Sequence, residues 1–178
     1  NTRAARLCVR RRRETCATSG PRIVVSVVAS WDFPSQTATS SNCDAIARDK
    51  GVPMGSILVA SGENDAPEFV VVAERDPVGA NLDRIQMIKG WVDAKGESQE
   101  RIYDVAWSGD RVIDSVTKRL SPVGSTVDAA VATFDNSIGS PQLRAQWKDP
   151  DFDASQEAFY YARVLEIPTP RWSTYDAV

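Results

Sequence analysis

Carboxylates dominate the side chains of this sequence that are able to do chemistry. Asp149, Asp151 and Asp153 alternate in an Asp-Pro-Asp-Phe-Asp run. The spacing resembles the opening of a calcium loop, but the glycine and the later bidentate glutamate of an EF-hand are missing. Asp83, Asp104 and Asp110 lie close in sequence to Arg84, Lys89 and Arg111. Two facing carboxylates would support acid–base chemistry. Charged neighbours across strands instead predict ion pairs and turn ends, which is the reading favoured for all three. Against this stands a total of zero histidines. Histidine is the commonest metal ligand and the usual general base near neutral pH. Its absence removes Ser-His-Asp and Cys-His nucleophilic sites. A zinc, iron or manganese centre would have only carboxylates and thiols to use. Cys8, Cys16 and Cys43 are odd in number and contain no Cys-x-x-Cys pair, so they read as buried or incidental thiols.

The totals fit a packed globular chain of 178 residues, with 42% hydrophobic and 25% charged residues. A net charge of −3 argues against nucleic acid as a partner. The charge is uneven: the first 22 residues carry seven Arg and one Glu, about +6, which leaves −9 for the remainder. The Arg10–Arg13 run is either an anion site or a solvated helix end, and the second is favoured. No apolar run approaches the roughly 18 residues of a membrane span, and no signal peptide opens the sequence.

The elements follow from periodicity. Ala4, Leu7 and Cys8 recur at helical spacing, Thr2 can cap the start, and the arginines suit the negative end of a helix dipole, which predicts a helix over 2–14. After Ser19-Gly20-Pro21 the period changes to two, and Ile23, Val25, Val27, Ala29 and Trp31 predict a strand that Pro34 ends. Residues 35–45, rich in Ser, Thr, Asn and Gln, predict a loop. Glu68–Glu74 is apolar on both faces and predicts a central strand. Leu82–Val92 and Arg101–Trp107 predict an antiparallel hairpin turning at Asp93–Gly96. Thr126–Phe134 and Ala158–Glu166 predict further strands, and Gly139–Asp153 a loop with one helical turn. Short strands between turns indicate a mainly β (α+β) chain: an antiparallel β-sandwich-like domain at 23–178, preceded at 1–22 by one helix and a junction. That helix has an apolar stripe with no obvious mate, so the expectation is missing upstream structure and self-association of the isolated chain.

Four blocks carry a family resemblance. They are Arg12-Arg-Glu-Thr-Cys-Ala-Thr-Ser-Gly-Pro-Arg22, Asn81-Leu-Asp-Arg-Ile-Gln-Met-Ile-Lys-Gly-Trp91, Ile102-Tyr-Asp-Val-Ala-Trp-Ser-Gly-Asp-Arg111 and Ala158-Phe-Tyr-Tyr-Ala-Arg-Val-Leu-Glu-Ile-Pro-Thr-Pro-Arg-Trp172. In this order they resemble the C-terminal part of the bacterial family known as domain of unknown function 3604. Its members look like relatives of the polymerase-and-histidinol-phosphatase (PHP) metallohydrolases, with metal-binding His and Asp motifs upstream of this stretch. The resemblance implies that 1–22 is the last helix and junction of an upstream α/β barrel. It implies that the barrel holds a divalent metal and is the partner of this domain. It also implies a periplasmic or secreted parent. No position here corresponds to a metal ligand, so none is carried over. The sequence departs from the family at Cys16, where a tyrosine is usual, at Val27-Val28, where the strand is usually more aromatic, and over Arg6–Val9.

Arg22 and Ser19 sit at the implied junction with the barrel. There Arg22 is a candidate to clamp an anionic substrate by bidentate hydrogen bonds, with a structural salt bridge as the competing reading. Ser19 is a weaker candidate at the same place. Trp31, Trp91, Trp107, Trp147 and Trp172 read as core packing ahead of an aromatic platform. Three functions remain: an accessory β domain of a metal-dependent hydrolase with no catalytic centre of its own, a stand-alone sugar- or protein-binding β module, and a small carboxylate enzyme. The first is favoured. The third requires two carboxylates facing each other in a pocket.

Overall fold

The computed structural model describes residues 4–7, 23–59 and 66–177. Among these residues, nine strands and two short helices follow in the order β1 (Ala4–Leu7), β2 (Val24–Ser30), a 3-10 turn (Thr37–Thr39), α1 (Cys43–Lys50), β3 (Val52–Pro53), β4 (Ile57–Val59), β5 (Glu68–Glu74), β6 (Leu82–Val92), β7 (Ser98–Trp107), β8 (Gln142–Lys148), β9 (Ala158–Glu166) and α2 (Trp172–Tyr175). They build a five-stranded sheet, β4-β1-β9-β6-β7, and a four-stranded sheet, β3-β2-β5-β8. Pairing is antiparallel throughout except between β1 and β9. The mainly β, sandwich-like expectation holds. Among the described residues, no helix is long and apolar enough to cross a membrane.

The period-two pattern decides what each strand buries. Val27 and Ala29 of β2, Phe69, Val71 and Ala73 of β5, and Leu143 and Ala145 of β8 meet Ile85 and Met87 of β6 and Ala158, Tyr160 and Ala162 of β9 in one core between the sheets. The opposite face of the four-stranded sheet is covered too. Val28 and Val70 pack with Phe33, Ala38, Cys43 and Ala47 under α1 and the 3-10 turn. This second layer is why β5 reads Phe-Val-Val-Val-Ala: it is buried on both faces and sits between β2 and β8. The β6–β7 hairpin turns where expected, with the Gly96 N–H donating to Asp93 O at 3.0 Å and Gly96 at φ 83°.

Four expectations change. Ala4–Leu7, assigned to the helix over 2–14, form β1, held between β4 and β9 in the same sheet as the core strands. Ladder hydrogen bonds on both sides outweigh a weak helical spacing there. The rest of that segment, with the junction at 15–22, lies outside the described residues. Residues 35–45 are not all loop: the 3-10 turn and the start of α1 lie within them, and Asp44 in the first turn with Arg48 and Lys50 in the last complements the helix dipole. Gly139–Asp153 holds strand β8, because Leu143, Ala145 and Trp147 alternate inward while Pro141 and Pro150 only bound the run. Thr126–Phe134 is no strand. The Asp128 carboxylate accepts the Ala130 N–H at 2.9 Å and the backbone doubles back from Asp128 to Thr133.

Candidate functional site

The alternation that fills the core also brings a charge inside it. Ile85, Met87, Lys89 and Trp91 point the same way from β6, so Lys89 projects between the sheets. Across the five-stranded sheet it lies in register with Arg101 of β7 and Tyr160 of β9. The segment after β8 brings Asp149 and Asp151 from the other sheet. The Lys89 ammonium stands 2.7 Å from Asp149 Oδ2 and 2.6 Å from the Asp151 carbonyl oxygen. Tyr160 donates its hydroxyl to the same Asp149 Oδ2 at 2.6 Å. Asp149 Oδ1 accepts the Asp151 N–H at 3.0 Å. Trp91 and Tyr160 present ring faces to the ammonium, with centroids 5.6 and 5.9 Å away. The side chains of Lys89 and Asp149 are only 4% and 0% exposed, so the pair is cut off from water.

The cluster continues outward through Asp151. Its Oδ2 accepts the Tyr103 hydroxyl and the Arg101 guanidinium, both at 2.7 Å. The Tyr103 and Arg101 contacts hold the Asp151 carboxyl below its ordinary range. Burial, then the Asp149 carboxylate beside it, pushes the Tyr160 phenol up. Burial and the Asp151 contact do the same to Tyr103.

A second cluster crosses the face of the five-stranded sheet turned from the core. Arg163 Nε donates to Gln86 at 2.9 Å, and Gln86 donates to Asp104 at 2.8 Å. Arg84 spans Asp104 at 3.5 Å and Asp83 at 2.9 Å. Arg111 closes the chain on Asp83 Oδ1 at 2.7 Å and donates further to the carbonyls of Asp83, Ser108 and Ser121. The expected pairing of Asp83 and Asp104 with Arg84 and Arg111 is present. Lys89 pairs with Asp149 rather than with any of these, and Asp110 lies exposed in a turn.

The sequence candidates fare unequally. Arg22, Ser19, Cys8 and Cys16 lie outside the described residues. Cys43 is buried beneath α1, and burial followed by the Asp44 charge raises its thiol, as expected of an inert cysteine. Trp31, Trp91 and Trp147 pack against the core, but Trp172 is 72% exposed. The Asp149–Asp153 run holds Lys89, Arg101 and Tyr103 instead of opening a calcium loop. Sequence reasoning gave Lys89 the wrong partners and missed Tyr160, although a lysine at an inward position of an apolar strand is a signal that a buried counter-ion must exist.

The buried members of both clusters spend their polar atoms on one another. Among the described residues, no buried side-chain nitrogen or oxygen lacks a partner. No group of three or more His, Cys, Asp or Glu side chains there is arranged to hold a metal ion. The clusters tie strand to strand and sheet to sheet.

Cohesion of this kind has an acid limit. Asp151 is more acidic folded than unfolded, where a carboxylate titrates near about 4. Its contribution is present above that pH and is lost as pH falls through the lower folded value. Half-exposed as it is, the contribution is about 1 kcal/mol or less. Asp93, Asp114 and Asp135 are lowered as well, by the Glu97 N–H, the Thr117 N–H and the Ser137 contact respectively. The wild type is expected to lose urea resistance below about pH 4, and Asp151→Asn to lose less over the same interval. Identical slopes for the two would remove Asp151 from the account.

A search of curated proteins and a search of solved structures each give no match to the chain. A family model does match, over residues 1–178. Three of the blocks that carried the resemblance, 81–91, 102–111 and 158–172, supply side chains to the two clusters, among them Lys89, Asp104 and Tyr160. The chain belongs to the family described as protein of unknown function (DUF3604).

Proposed function

We propose that this chain is an accessory β domain of a metal-dependent hydrolase and has no catalytic centre of its own. The observation that carries this reading is the closure of the two charged clusters. Lys89, Asp149 and Asp83 are buried and Arg111 is largely so, and these groups, which would otherwise be candidates for acid, base or anion clamp, are spent on one another. A catalytic group must present a hydrogen-bonding atom to substrate, and these present theirs to protein. The lack of histidine anywhere in the sequence supports the same reading. The divalent metal and the substrate then belong to the upstream catalytic domain that the family resemblance implies, and this domain serves as its rigid partner.

Two measurements on the protein containing this domain test it. Elemental analysis of the separate 178-residue chain after dialysis is expected to show only sub-stoichiometric transition metal. In the hydrolase, Asp104→Asn is expected to change kcat/KM by no more than about twofold. Stoichiometric zinc, iron or manganese in the chain, or a loss of several orders of magnitude on Asp104→Asn in a protein that stays folded, would overturn the proposal.

One observation favours a second reading, a sugar-binding β module. On the outer face of the five-stranded sheet, the Phe159 and Tyr161 rings lie nearly parallel, 9° apart with centroids at 6.3 Å, and Phe159 is 44% exposed. An exposed ring of this kind suits the apolar face of a pyranose. Saturable binding of an oligosaccharide that Phe159→Ala abolishes would establish it, and no binding across a glycan array would remove it.

A further inference from the structure

The surroundings of Lys89 and Asp149 supply more than an ion pair needs. The two groups come from different sheets, sixty residues apart in sequence, and touch at 2.7 Å. Both are almost fully buried, and the third member, Tyr160, is fully so. Taking a carboxylate and an ammonium out of water together is costly, and proton transfer between them removes both charges at once. It also leaves a neutral amine, which is a nucleophile, against a neutral carboxylic acid, which is an electrophile.

We propose that Lys89 and Asp149 condense to an intramolecular isopeptide bond that staples the two sheets. The atoms in contact cover each step. Lys89 passes one proton to Asp149 Oδ2, giving –NH2 and –COOH. A rotation about the terminal bonds of the Lys89 side chain sets Nζ over Cγ while the carboxyl keeps its own contacts, and the Asp151 carbonyl, 2.6 Å from Nζ in the ion pair, orients the amine as the lone pair attacks. The N–C bond forms as the carbonyl π bond opens onto Oδ1. The Asp151 N–H, 3.0 Å from Oδ1, stabilises the charge that develops there. The new ammonium gives its proton to the departing hydroxyl at Oδ2, and Tyr160, 2.6 Å from that oxygen, holds it by a hydrogen bond as it leaves. The Cγ–Oδ2 bond breaks, water leaves, and an amide remains. An ammonium and a carboxylate are consumed, an amide and one water are made, and no oxidant or other reactant is required. Burial favours the product, because the reverse step needs water at a site that excludes it.

Peptide mapping of the denatured protein decides the matter. Trypsin cleaves after a free lysine but not after an acylated one. The expected product is a branched peptide in which residues 85–95 and 149–163 are joined, lighter than their sum by one water, with fragmentation placing the link on Lys89 and Asp149. Lys89→Arg, which keeps the charge but cannot condense in this way, is expected to release 149–163 as a linear peptide. Recovery from the wild type of linear 85–89 and linear 149–163 alone, showing cleavage after a free Lys89, would overturn the proposal. The reading is made on wild-type protein, so it does not depend on whether a variant folds.

Discussion

Replacing Asp149 by alanine is expected to cost about 3–5 kcal/mol of stability, as removal of one partner from a buried charge pair does. The loss has named sources. Lys89 keeps only the Asp151 carbonyl as an acceptor. Tyr160, 0% exposed, loses the acceptor of its hydroxyl, and the Asp151 N–H loses Oδ1. Each buried orphan costs about 1–3 kcal/mol. The damage also falls on the seam between the sheets, since Lys89 belongs to β6 and Asp149 follows β8 directly. Whether the link is ionic or covalent, the midpoint of urea unfolding should fall steeply. The double replacement Lys89→Met with Asp149→Leu separates the two kinds of link: for an ion pair, apolar groups of similar size remove the orphaned charge and recover most of the loss, whereas the loss of a covalent staple persists. A single variant within about 1 kcal/mol of the wild type would mean that the pair is not the clasp described here.

Much of the fold could be read from the sequence because several of its strands carry clear apolar runs. Glu68–Glu74, Leu82–Val92 and Ala158–Glu166 are apolar where they meet the core, and turn residues bound them. β8 hid because its outward positions are Gln142, Arg144 and Gln146 and prolines flank it, which together look like a loop. α1 hid because its start, Cys43, follows a polar stretch that local rules assign to turns. The strand expected at Thr126–Phe134 failed for the converse reason: β-branched residues suggested extension, and the Asp128 carboxylate folded the backbone back on itself. Of the charged clusters, the local half was legible. Asp83 and Arg84 are adjacent, and Arg111 belongs to the hairpin block that follows. Lys89 and Asp149 are joined only by tertiary structure, so spacing could not pair them. An inward lysine among Ile85, Met87 and Trp91 showed that a partner was required without showing which carboxylate supplied it. The Asp149–Asp153 run drew attention as a cation loop, and the cations it serves are side chains of this same chain.

The second large effect is expected at Gly139. It has φ +79°, a conformation that costs a side-chain-bearing residue on the order of 1–3 kcal/mol. Space is short as well: a Cβ there would lie 2.6 Å from Asn81 Cβ, 2.7 Å from Ile167 Cγ2 and 3.1 Å from the Leu82 carbonyl. Both side chains are buried, and the carbonyl belongs to β6, so none yields cheaply. Asn81 is further fixed by its amide, which donates to the Asn136 and Ile138 carbonyls at 3.1 and 2.8 Å. Next to Gly139, Ser140 exchanges two backbone hydrogen bonds with Leu82, at 2.8 and 2.9 Å. Gly139 is thus the point where the long connection from β7 is fastened to the start of β6 before β8 begins. Gly139→Ala is expected to cost about 3 kcal/mol, from strain and overpacking together. It should also speed proteolytic cleavage within residues 108–141, since the fastening opens. Gly96→Ala is the matched control: φ is +83° and nothing lies within 4 Å of the added Cβ, so only the conformational cost of about 1 kcal/mol applies. Urea unfolding of the two variants side by side reads the difference. Equal losses would show that the contacts around Gly139 yield freely and that the fastening resides elsewhere in the Asn81–Asn136 hydrogen bonds.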